Sequence, residues 1–72
     1  MFVLMAAIYI VQRDHIPDLS SIKGVVEEYC SEIVEDENTI TFTPRNGFVA
    51  TLGLYFTRQA ISYQLQFNEH RQ

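Results

Sequence analysis

Seventy-two residues, 47% hydrophobic and 19% charged, exclude an intrinsically disordered chain and describe one small packed domain over residues 1–72. The formal net charge is −4, and the five basic residues (Arg13, Lys23, Arg45, Arg58, Arg71) are scattered, which argues against direct nucleic-acid binding through a basic patch. A single cysteine, Cys30, excludes an intrachain disulfide and a cysteine-rich metal site, and points to a reducing, cytoplasmic setting.

The chain opens on ten consecutive apolar or aromatic positions, residues 2–11. That is too apolar for a strand with one wet face and too short for a membrane span. No Lys or Arg precedes the run and no clear small-x-small cleavage site follows, so it reads as a strand over 2–12 and not as a secretory signal. Met5 offers a second possible start. In so short a chain, a surface this apolar on both faces is expected to be completed by a second molecule.

Pro17 breaks the chain and Asp18 is a suitable N-cap for a helix expected to run to about Val34. Leu19, Ile22, Val26, Tyr29 and Ile33 fall at helical spacing and form one apolar stripe, with Val25 and Cys30 beside it. Gly24 stands on the opposite face, in line with Ser20 and Ser31, although a glycine costs a helix interior about 1 kcal/mol relative to alanine. Glu27, Glu28, Glu32 and Glu35 flank this strip of small side chains. Ser20, Gly24, Glu27, Glu28, Ser31, Glu32 and Glu35 are therefore the candidate contacts for a protein partner.

Thr39, Thr41 and Thr43 alternate with Ile40 and Phe42, which predicts a strand. Asn46-Gly47 suits a tight turn. Phe48, Ala50, Leu52, Leu54 and Phe56 also alternate and predict another strand, followed by a short turn near Arg58-Gln59. Ile61, Tyr63, Leu65 and Phe67 alternate with Ser62, Gln64 and Gln66, and the polar residues 68–72 are expected to fray. The resulting expectation is an α+β domain of order β-α-β-β-β, one amphipathic helix packed on a four-stranded mixed sheet. A right-handed crossover makes the first two strands parallel, and a meander of the last three leaves the first at an edge, open to association. Phe2, Leu4, Val49 and Tyr55 are then the candidate dimer contacts.

Little here points to chemistry. His15 with Asp14 and Asp18 belongs to a polar loop, and His70 lies in the tail. Cys30 near a helix C-terminus faces a dipole that disfavours a thiolate, so it reads as a structural thiol. The three glycines form no phosphate loop, and Ser20 and Ser21 lack a matched base. No catalytic residue, cofactor or metal ligand is expected. The chain reads as a non-enzymatic protein-binding module, an accessory or inhibitor protein of viral or mobile-element type, acting as a homodimer without a membrane. Two other readings stay open: an acidic mimic that blocks a nucleic-acid-binding enzyme, and a site shared between subunits around Tyr9, Tyr55, Tyr63 and Arg58.

Overall fold

In the computed structural model, which describes the backbone of residues 3–71 and the side chains of residues 7–67, the chain is an α+β domain with two helices on a four-stranded sheet. Strand β1 (Val3–Gln12) leads through a 3-10 turn (Arg13–His15) to helix α1 (Ser20–Tyr29). Strands β2 (Cys30–Glu35) and β3 (Thr39–Pro44) form a hairpin. Helix α2 (Val49–Arg58) then returns the chain to strand β4 (Tyr63–Arg71).

Strand order is β2-β3-β1-β4 and every pairing is antiparallel. Strands β1 and β2 thus run in the same direction with β3 inserted between them. This is the split β-α-β, or ferredoxin-like, arrangement, which many unrelated functions share.

Several expectations change. The helix stops at Tyr29, because Cys30 is already extended (φ −115°, ψ 140°) and Cys30–Glu35 pairs with β3. Ile33 suits either reading: it continues the helical stripe by sequence, and as a strand residue opposite Phe42 it turns to the same core. Residues 49–58 are helical, with Leu52, Gly53 and Phe56 buried at helical spacing. With that helix in place there is no meander, so β1 is internal and the sheet is antiparallel, not mixed. Both edges of β1 are paired, by β3 and β4, while Ile8 and Ile10 lie on the face that the helices leave open. Residues 68–71, expected to fray, continue β4 opposite β1.

One core holds the layers together. Tyr9 and Val11 of β1 and Ile40 and Phe42 of β3 meet Val26 of α1 and Leu52 and Phe56 of α2, closed by Ile16, Cys30 and Ile61. No buried side-chain polar atom among the described residues lacks a partner. The other sheet face carries Thr39, Thr41 and Thr43 with Ile8 and Ile10, and no helix covers it.

Helix α2 ends in a Schellman motif: the Ile61 N–H donates to the Phe56 carbonyl (2.9 Å) and the Ala60 N–H to that of Thr57 (3.1 Å). The motif needs a left-handed residue and finds Ala60, at φ 56°. Ala60→Gly is expected to stabilise the fold by about 1 kcal/mol, read as a higher urea midpoint with unchanged slope. Gly47, at φ 87°, supplies the positive φ expected of Asn46-Gly47, but its turn opens into a helix instead of a strand.

Candidate functional site

The residues proposed from sequence as one helix face are divided between α1 and β2. Ser20, Gly24, Glu27 and Glu28 belong to α1; Ser31, Glu32 and Glu35 belong to the edge strand β2. The Ser20 hydroxyl donates to the Asp18 carboxylate (2.6 Å), so Asp18 engages a side chain and does not cap the helix backbone. A methyl group at Gly24 would meet nothing within 4 Å, so packing does not require that glycine. Glu27, Ser31, Glu32 and Glu35 come together with Lys23 and Arg45 around an open concavity of about 400 Å³. Ser20, Gly24 and Glu28 lie outside its lining.

Two of the concavity's charged residues are already engaged in the structure. Arg45 donates through Nε to the Glu28 carbonyl (3.2 Å), and its backbone N–H donates to the Tyr29 carbonyl (2.7 Å), tying the end of α1 to the β3–α2 turn. Glu35 faces Arg13 at 3.5 Å, an exposed ion pair contributing less than about 1 kcal/mol. The surface is of mixed charge, where sequence suggested an acidic face.

Cys30 lies in the wall of the same concavity, only 4% exposed. Burial pushes its thiol from 9.0 up to about 11, with Arg45 pulling weakly the other way. A protonated thiol is a poor nucleophile. The folded state keeps this proton to about pH 11 while the unfolded chain releases it near 9, so stability present below pH 9 declines as pH rises towards 11. We expect a loss on the order of 1 kcal/mol across that window. Urea titrations at both ends should show a smaller loss in Cys30→Ala. Part of the remaining loss belongs to Tyr9, also raised by burial and by Tyr63.

The helix layer carries a second surface. Thr51, Leu54, Tyr55 and Arg58 recur at helical spacing on α2 and, with Tyr29 of α1, line a hollow of about 190 Å³. The Tyr29 ring stacks on Phe48 (centroids 5.7 Å apart) and meets Tyr55 edge-on at 6.2 Å.

The proposed dimer contacts are redistributed. Tyr55 and Val49 are on α2, half-buried against the core, and not on a sheet face. Phe2 lies outside the described residues, as does the side chain of Leu4, whose backbone pairs with His70. The tyrosines suggested for a shared site also separate. Tyr9 and Tyr63 meet beneath α2 with centroids 5.0 Å apart, whereas Tyr55 and Arg58 line the hollow beside α1. Among the described residues no cluster of His, Cys, Asp or Glu is arranged to hold a metal ion, and no helix is long and apolar enough to cross a membrane.

Strand β4 carries a third surface. The alternation of Tyr63, Leu65 and Phe67 is real, and register with Val11, Tyr9 and Ala7 turns them to the helix side. The helices cover them only in part: Leu65 is 37% exposed and Phe67 59%. The signal for this was length, since nine strand residues span about 30 Å and the ten residues of α2 only about 15 Å.

Comparison of the chain with protein-family models, with curated proteins and with solved structures gives no match.

Proposed function

We propose that this chain is a small protein-interaction module that acts as a homodimer and works by binding, not by catalysis. The observation that carries the reading is the apolar surface left open along β4, where Leu65 is 37% and Phe67 59% exposed. Exposed apolar groups that gather on one side of a small domain mark association sites. The α1–β2 concavity supports a second, hetero-partner contact. Its mixture of Glu27, Glu32 and Glu35 with Lys23 and Arg45 favours a protein surface of mixed charge over mimicry of a polyanion. An accessory or inhibitory role follows naturally, a small dimer occupying part of a larger protein.

Light scattering over a dilution series tests the reading. A mass holding at twice the 8.4 kDa of one chain supports it. A mass of 8.4 kDa at every concentration overturns the homodimer.

A further inference from the structure

The two edges of the sheet differ. Strand β2 has a register irregularity between Cys30 and Glu32, and carries Glu32 and Glu35. Bulges and charges are the ordinary means by which an edge strand avoids pairing with another chain. Strand β4, at the opposite edge, has nine residues and a continuous register with β1. Its first five residues, Tyr-Gln-Leu-Gln-Phe, contain no charge, proline or glycine. Glu69 and Arg71 lie in its second half, so the uncharged, unbulged stretch Tyr63–Phe67 is the least protected part of either edge.

We infer that the homodimer forms by antiparallel pairing of β4 with β4 of a second copy, giving a continuous eight-stranded sheet. The inference rests on the homodimer proposed above and names its surface. An edge strand directs alternate N–H and C=O groups away from its own sheet, and an identical antiparallel strand satisfies them about a two-fold axis. That axis is perpendicular to the sheet, so the helices of both copies lie on the same side. Leu65 and Phe67 of one copy then face those of the other, flanked by the two α2 helices. Pairing centred on Gln66 sets Leu65 opposite Phe67 twice. These residues are uncharged, so the copies meet there without local repulsion despite a net charge of −4 each.

The size fits a reversible dimer. Pairing centred on Gln66 joins Tyr63–Glu69 of each copy, a seam about 24 Å long, and the domain is 17 Å across its shortest axis. The contact thus covers on the order of 400 Å² per copy, about 800 Å² in total, in the range of weak, transient interfaces. The bare face is mixed, with Ile8, Ile10 and the exposed Val34 interspersed among Thr39, Thr41, Thr43, Gln64 and Gln66.

The test compares dissociation constants of three full-length chains, with circular dichroism and melting curves establishing that each is folded. Leu65→Lys puts an inward charge on the edge and is expected to weaken the dimer at least about tenfold. Thr41→Lys, on the bare face, is expected to stay within about twofold of wild type. Independently, Gln66→Cys under mild oxidation should give a disulfide-linked dimer, because the native Cys30 is buried. A folded Leu65→Lys that dimerises as wild type does, or a Gln66→Cys that stays uncrosslinked in a dimeric protein, overturns the β4 interface while leaving the homodimer standing. A monomeric wild type overturns the homodimer itself.

Discussion

Phe56→Ala is expected to leave the chain unfolded at room temperature. Phe56 is fully buried and lies within 5.0–6.3 Å of the rings of Tyr9, Phe42, Tyr55 and Tyr63, centroid to centroid. It is where α2, β1, β3 and β4 meet. Truncating a buried phenylalanine costs about 3–5 kcal/mol, from lost transfer energy and from the cavity left behind. A domain this small has on the order of 5 kcal/mol in total. Far-UV circular dichroism should show the loss directly. Phe56→Leu, which keeps most of the volume, should remain folded with a lower melting temperature. A cooperative, near-wild-type transition for Phe56→Ala would mean that the layers are held together elsewhere.

Gly53→Ala should destabilise the fold by about 2 kcal/mol, although alanine is much the better helix former. A Cβ built at Gly53 would lie 2.8 Å from the Tyr9 hydroxyl oxygen, inside any tolerable contact. That hydroxyl has little room to retreat. Tyr9 is 3% exposed, its O–H donates to the Val49 carbonyl at 2.6 Å, and its ring is wedged against Phe56 and Tyr63. Tyr63 adds to the crowding, its hydroxyl donating to the Gly53 carbonyl at 3.3 Å. The glycine therefore allows α2 to sit directly on the tyrosines of β1 and β4.

Tyr9→Phe alone should cost about 1 kcal/mol for the lost hydrogen bond. In that background Gly53→Ala should become neutral or stabilising, because the clashing oxygen is gone and the next contacts, the Tyr63 hydroxyl and the Tyr9 ring carbon, are 3.5 Å away. The double-mutant cycle reads this as a favourable coupling of about 2 kcal/mol. Additive costs in urea denaturation would contradict the steric account.

Much of the α+β framework was readable locally. Leu19, Ile22, Val26 and Tyr29 mark α1, and Ile40 and Phe42 alternate with threonines along β3. The burial of Cys30 was also readable, since a small apolar-leaning side chain beside an apolar stripe turns inward in either a helix or a strand. The candidate site was less legible. Its acids were placed on one helix, yet half of them lie on β2, and the two basic residues that share their concavity are remote from one another in the chain.

The sequence by itself determined the two-layer α+β class, the inward sets of α1 and β3, and the turn at Gly47. Only the tertiary structure decided that residues 49–58 form a helix and that β1 is internal. The physical reason is an ambiguity of period. Phe48, Ala50, Leu52, Leu54 and Phe56 satisfy the alternation of a strand, while Val49, Leu52, Gly53 and Phe56 satisfy one helical face. Local preference does not separate the two. Contact does: the helix brings the bare Gly53 against Tyr9, a residue forty-four positions earlier, and buries Leu52 and Phe56 on the strands beneath. Once that helix forms, β4 is drawn beside β1, and the most apolar strand of the chain moves from a presumed edge to the interior of the sheet.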